Sequence, residues 1–301
     1  MQNKTVKSII IKSLKNNIYT CILLIIAIIG VVFISLVPAQ ILKIIIDENL
    51  VLKDYTNLLF WAIIYFSAVF SVGIFDFFKN VLLAVIGQGI TKDVRAEMMN
   101  KLTKIDSMFF SSNNTGTVVS RFTNDVDAVN SLFSDGIIGM VIDLFKIIGI
   151  LISIYLFNWV IGLFATIILP LIYLIIRFFQ KRMLKSQIEN RIIVGKVNNQ
   201  ISESIKSFET IKAFSKEDYM EGNFASQLKD NYETKEKINF YDSIFPPMIQ
   251  IIRSISIVAL VMISTSNLNF MGITIGMIAA SIELLINLFA PVENLGMELQ
   301  S

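Results

Sequence analysis

Six ionisable side chains stand inside or at the edge of long apolar runs: Asp76, Lys79, Asp143, Lys146, Arg253 and Glu283. Charge placed in hydrocarbon is costly. Such groups therefore either meet a polar species crossing the membrane or pair with one another and fix helix packing. Three acids stand against three bases, so mutual pairing can account for all of them. Counting inward from the outer helix ends at about 1.5 Å per residue puts Lys146, Arg253 and Glu283 ~15 Å deep, near mid-membrane, and Asp76 and Lys79 near the inner edge. Lys146, Arg253 and Glu283, with the neighbouring Asp143, are the candidate substrate-pathway residues.

Other chemistry lacks its residue types. There is no histidine and one cysteine, Cys21, which lies in an apolar run. A metal cluster, a Ser–His or Cys–His nucleophile and a disulfide framework therefore cannot be assembled. No GxxxxGK[ST] phosphate loop occurs, and the single Gly-Lys pair, Gly195-Lys196, is followed by valine. The expectation is no catalytic, cofactor-binding or metal site, and no ATPase site, within these residues.

The elements that position the charges follow from hydropathy. The chain has 301 residues, of which 54% are hydrophobic and 17% charged, and its mean hydropathy is +0.66. Six stretches approach the ~20 apolar residues needed to cross ~30 Å of hydrocarbon. They run Ile18 to Leu42, Leu58 to Phe75, Ile137 to Phe157, Val160 to Ile176, Ile244 to Ile263 and Ile273 to Leu288. None shows the two-residue alternation of a membrane strand, so each is expected to be a helix. The fold class is an all-α membrane protein. With their continuations the spans cover about 18–42, 58–86, 137–157, 160–180, 244–264 and 273–290. The first apolar run is too long for the core of a secretory signal, about 7 to 15 residues, and is read as a span.

Charge asymmetry orients the spans. Twenty-one of the 26 lysines and arginines fall in residues 1–17, 87–136 and 177–243, whereas the opposite loops, Asp47 to Asn57, the turn at Asn158 and Thr265 to Gly272, hold only Lys53. By the positive-inside rule the N-terminus and the long connections are cytosolic. Arg177, Lys181, Arg182 and Lys185 cluster at one membrane exit and weigh most in that assignment.

The long connections, about 87–136 and 181–243, lack proline, are sparse in glycine and keep helical spacing. Val118, Phe122, Val126, Val129 and Phe133 form one stripe, with Arg121 and Asp125 a possible i,i+4 pair on another face. Leu184, Ile188 and Ile192, then Val197, Ile201, Ile205 and Phe208, form a second. The membrane helices are thus expected to continue into the cytosol. A helix from Thr117 to Phe157 would be ~60 Å long, twice the slab. Two apolar tips result: Met108, Phe109 and Phe110 beside the turn at Asn113, and Phe208, Ile211 and Phe214. Exposed aromatics at a tip mark a docking site for a partner, or pack against neighbouring projections.

These residues carry a family resemblance. FFSSNNTGTVVSRFTNDVDAVNSLFSDGI resembles the first intracellular loop and third-helix start of ATP-binding-cassette exporters. IILPLIYLIIRFFQKRM resembles their fourth helix, ESIKSFETIKAFSKEDYMEGNF their second coupling segment and ITIGMIAASIELLINLFAPVENL their sixth helix. The N-terminal residues 1–17, with Val6, Ile9, Ile10 and Leu14 among lysines, are similar to the family's interfacial elbow. The resemblance implies a type-1 transmembrane domain over 18–301, with six extended helices and two intracellular coupling helices. Met108, Phe109, Phe110 and Asn113 would belong to the first coupling helix, and Phe208, Ile211 and Phe214 to the second. It implies as partners a nucleotide-binding ATPase domain, where ATP and Mg would bind, and a second transmembrane domain in a homo- or heterodimer. It further implies the lipid bilayer and a hydrophobic or amphipathic small molecule, lipid or peptide as cargo. Nothing points to nucleic acid. A multi-pass protein of a bacterial plasma membrane, with a cytosolic N-terminus, is expected.

Overall fold

In hydrocarbon a chain must satisfy its backbone polar groups internally. The computed structural model describes residues 6–105, 115–266 and 272–298, and every regular element among them is helical. Helix α1 spans Val6–Asn16, and α2 spans Ile18–Ile44 and runs on as the π-helical stretch Ile45–Val51. Helix α3 spans Leu58–Leu102. Helix α4 runs from Thr115 to Phe157 as Thr115–Ser120, Val126–Ser131 and Gly139–Phe157, joined by π-helical turns at Arg121–Asp125 and Leu132–Ile138. Helix α5 spans Trp159–Lys206, the short α6 Phe208–Ala213, α7 Glu217–Ser266 and α8 Ile275–Glu298. Six of these (α2, α3, α4, α5, α7 and α8) are long and apolar enough to cross a membrane. All five prolines lie inside helices, at Pro38, Pro170, Pro246, Pro247 and Pro291.

The helix ends have local causes. Asn158, in extended conformation, is the single residue between α4 and α5, and its side chain accepts a 2.9 Å hydrogen bond from the Val160 amide. That is an N-cap, and it turns the chain back within one residue. Between α2 and α3, Lys53 takes a left-handed φ of 56°. Asp54 next to it accepts hydrogen bonds from the Thr56 hydroxyl and amide, and these hold its carboxyl below the usual carboxylate range.

One unit reaches up to Ile167 and resumes at Ala259. Within it α8 packs against α2 and α4, α2 against α3, and α1 against α3. Helix α8 is the most enclosed, with Ala280, Leu284, Leu285, Leu288 and Phe289 fully buried. A second cluster joins Leu24, Ile28, Ile86, Ile90, Val126 and Ile142, and Ile9, Ile10 and Leu14 of α1 pack against it. Lipid supplies little hydrophobic drive between helices, so close approach has to supply the attraction. Gly30 shows how: a Cβ there would meet the Phe75 ring at 2.6 Å.

The possible Arg121–Asp125 pair does not form. Arg95 of α3 instead donates to Asp127 at 2.8 Å and to the Phe122 carbonyl at 3.2 Å. The π turn at 121–125 is the reason. Its wider winding carries residues four apart off a common line, while it swings Asp127 toward α3.

The second unit, Ile168–Val258, holds most of α5 and α7 with α6 between them. On α5 the buried and half-buried positions include Phe179, Met183, Ser186, Asn190, Val197 and Gln200, and on α7 Gln227, Asn231, Thr234, Ile238, Tyr241 and Phe245. Both sets step by fours and threes, the rhythm of a coiled-coil seam. Two contacts fix an antiparallel register: the Phe179 and Phe245 rings at 5.9 Å, and a hydrogen bond from Gln227 to Gln200 at 3.3 Å. The stripe read from sequence is helical as expected, and of its residues Val197 lies in this seam. Leu184, Ile188 and Ile192 are 36%, 53% and 57% exposed, and the seam beside them runs through Met183, Ser186 and Asn190.

Candidate functional site

Helix α3 brings Asp76 and Lys79 together, with Lys79 Nζ 2.6 Å from Asp76 Oδ1, in an ion pair one turn apart. Helix α4 adds Asp143 and Lys146. Lys146 lies within electrostatic reach of both acids and of Lys79, and Asn294 of α8 is a hydrogen-bond partner of the Asp143 carboxyl. Lys79 and Asp143 are buried. Three helices therefore converge on a group of two acids and two bases. By residue count from the Leu58, Phe157 and Ile275 ends of α3, α4 and α8, these groups lie ~16 to ~31 Å along their helices. Asp76 and Lys79 share this network with Lys146 and Asp143.

Glu283 stands apart. It is half-buried on α8, one carboxylate oxygen is enclosed without a hydrogen-bond partner, and the titrating neighbour within its reach is Tyr65 of α3. Tyr65 is seven residues and Glu283 eight from the outer starts of their helices, so both lie about 10 to 12 Å deep. Below Glu283 on the same side of α8 come Asn287 and Asn294, both exposed. The opposite side carries the fully buried Ser281, Leu285 and Phe289. A membrane-length helix thus carries a polar line along the edge of its exposed face, with Glu283 half-buried and Asn287 and Asn294 exposed. Hydrocarbon is a poor neighbour for such a line, whereas a polar pathway suits it. Arg253 lies in α7, within the other unit, and is half-buried with interactions of its own.

The outer end of α8 is pinned. Thr274 Oγ accepts from the Met277 amide at 3.1 Å and donates to Asp47 Oδ2 at 2.6 Å, and the Gly276 amide donates to Asp47 Oδ1 at 2.8 Å. One carboxylate from the end of α2 thereby serves two donors at an N-terminus, where negative charge is favourable. Gly276 allows the approach: a Cβ there would stand 2.5 Å from the Lys43 carbonyl oxygen and 2.6 Å from Asp47 Cγ. Sequence reasoning placed Asp47 in an outer loop and missed Tyr65, Asn287 and Asn294. The readable signal was the polar spacing of Glu283, Asn287 and Asn294 inside an apolar run.

At the far end of the α5–α7 hairpin, Ser207 breaks α5 and α6 follows as a separate six-residue helix. Phe208 and Phe214 are 59% and 71% exposed, and Ile211 is half-buried. Phe214 sits just past the end of α6, and Ser215 turns the chain with a φ of 48°. Lys212 Nζ then meets Glu217 Oε1 at 2.8 Å, closing the turn onto α7. Met108, Phe109, Phe110 and Asn113 lie outside the described residues. Gly195 and Lys196 lie inside α5, where the backbone amides are spent on the helix, so they offer no cradle for a nucleotide phosphate.

The comparisons agree with this architecture. A family model described as "ABC transporter transmembrane region" matches residues 18–292. The chain is 27% identical over 255 residues to an ATP-dependent lipid A-core flippase of Desulfotalea psychrophila, covering 85% of the chain and 45% of that protein. Over 180 residues it is 27% identical to a protein of the same description from Pseudomonas syringae, covering 60% and 30%. To the uncharacterized ABC transporter ATP-binding protein YknV of Bacillus subtilis it is 23% identical over 211 residues, covering 70% and 35%. It spans less than half the length of these curated relatives. With six membrane-length helices in order and a family match from the first span to the last, the chain belongs to the ABC transporter transmembrane region family.

Proposed function

We propose that this chain is the membrane-spanning half of an ATP-driven exporter. It forms part of the substrate pathway and passes the closure of nucleotide-binding domains to the bilayer. The supporting observation is length: α3, α5 and α7 have 45, 48 and 50 residues. At about 1.5 Å per residue each is roughly 70 Å long, more than twice the ~30 Å slab. Rods of that kind carry a nanometre-scale motion that a flexible loop would absorb. Helix α6 is the second coupling element, and its exposed Phe208 and Phe214 seat on the ATPase. The first coupling element falls within 108–113.

In this reading the chain itself is not catalytic. ATP and Mg bind at the nucleotide-binding domains, and no residue described above fits them. A second transmembrane domain, identical or related, completes the pathway, and the bilayer surrounds both. The long connections and the N-terminus face the cytosol of a bacterial cell, as the basic residues require. Glu283 and the polar line below it face the pathway, and the four-charge network of α3 and α4 holds the helices beside it. The cargo is a hydrophobic or amphipathic molecule, for which the lipid flippases among the relatives are one precedent.

Reconstitution with the ATPase in liposomes tests this. Substrate-stimulated ATP turnover with substrate flux is the expected outcome. Turnover without flux of any amphipathic cargo would make the chain a regulatory subunit, and flux driven by an ion gradient without ATP would make it a secondary transporter.

A further inference from the structure

We propose that the outward stripe of α5, formed by Arg177, Lys181 and Lys185, binds the headgroup phosphates of anionic phospholipids. The three bases are spaced i, i+4, i+8 and all are exposed. They lie on the face opposite the packed residues Phe179, Met183 and Ser186. From Val160 to Ile188 the chain carries four bases and no acid. On the membrane side of the stripe, Leu171 and Leu174 are exposed and apolar. The face therefore changes within two turns from a surface for acyl chains to a surface for phosphates, which is the profile of a lipid.

Local contacts hold the bases in place without neutralising them. Arg177 Nη1 donates to the Tyr173 hydroxyl at 3.1 Å, one turn toward the membrane. An amphipathic tyrosine belongs at headgroup height, and the guanidinium keeps its other donors for an oxyanion. Arg182, off the stripe, lies over the Phe178 ring at 4.2 Å. The nearest carboxylate is Glu189, a loose 3.9 Å from Lys185, and among the described residues Arg177 and Lys181 have no carboxylate partner. A free phosphate ion would find the same charge, but no enclosing pocket and no use for the apolar shelf.

A base near an anionic surface contributes roughly a fivefold preference. Three bases together should then favour phosphatidylglycerol over phosphatidylcholine by about a hundredfold. The test is native mass spectrometry of the full chain in non-ionic micelles, titrated with each lipid and, separately, with inorganic phosphate. Micelles have no inside, so the outcome is independent of the topology and transport readings above. The chain as it stands should bind phosphatidylglycerol preferentially, and increasingly so at low salt. Arg177→Gln with Lys181→Gln and Lys185→Gln should abolish the preference, and each single change should weaken it. The charge-preserving set Arg177→Lys, Lys181→Arg and Lys185→Arg should retain it, as should Lys229→Gln with Lys235→Gln and Lys237→Gln on α7. If the triple variant does not fold, the single and charge-preserving variants decide. Unchanged preference in the neutralised variants, equal loss in the α7 control, or full displacement by millimolar inorganic phosphate would overturn the proposal.

Discussion

At the scale of single residues, stability and selectivity are assigned to different acids. Asp47 serves two donors at the head of α8. Asp47→Ala should therefore lower unfolding stability by about 1–3 kcal/mol, the cost of leaving such donors unmet. Gly276→Val should lower it more, because its Cβ has no room beside Lys43 and Asp47. Thermal melts in one detergent would rank the two. Lys79→Met strips the partner from Asp76 and removes a charge from the Asp143 network. It should destabilise by about 1–3 kcal/mol, less than for a fully buried pair because the Asp76 side chain is 42% exposed, with partial rescue by Asp76→Asn. Glu283 behaves differently. Glu283→Lys should shift which substrates stimulate ATP turnover while the protein assembles normally, and an unchanged substrate profile would remove Glu283 from the pathway. Glu283 was legible in the sequence because a carboxylate in an apolar run stands out. Asp47 was not, because its partners lie 227 and 229 residues away and no local pattern records them.

At the scale of elements, the sequence specifies the rods better than it specifies their faces. Hydropathy gave the six long helices, while the stripe Val197, Ile201, Ile205 and Phe208 ran across the break at Ser207 without marking it. The seam between α5 and α7 was not read from the sequence. Ser186, Asn190, Gln200, Gln227 and Thr234 lie in it, so its polar middle does not announce itself as a core. Leu184, Ile188 and Ile192 keep the same helical spacing on the outside and supplied a competing apolar stripe. The pair Gln200 and Gln227 tests the seam directly. Gln227→Leu alone should cost about 1–3 kcal/mol by leaving Gln200 unmet, and Gln200→Leu with Gln227→Leu should recover most of it. Additive losses in that cycle would place the two side chains apart. The π turns of α4 also escaped the reading, because nothing in RFTND or LFSDGII sets them off from an ordinary helix.

At the scale of the molecule, the account depends on helices that stay rigid beyond the lipid. The charge network, the polar line on α8 and the lipid stripe on α5 all act within or at the edge of the membrane. In the proposed function, the continuations of α3, α4, α5 and α7 are what connect them to an ATPase. Hydrogen–deuterium exchange of the chain in lipid nanodiscs, resolved by peptide, measures that continuity. Amides of 181–206 and 217–243 should exchange orders of magnitude more slowly than unstructured peptide, with protection falling only at the turns around 207 and 215. Exchange of those segments at unprotected rates would contradict the account, since a coil at the hairpin could not carry force to the membrane.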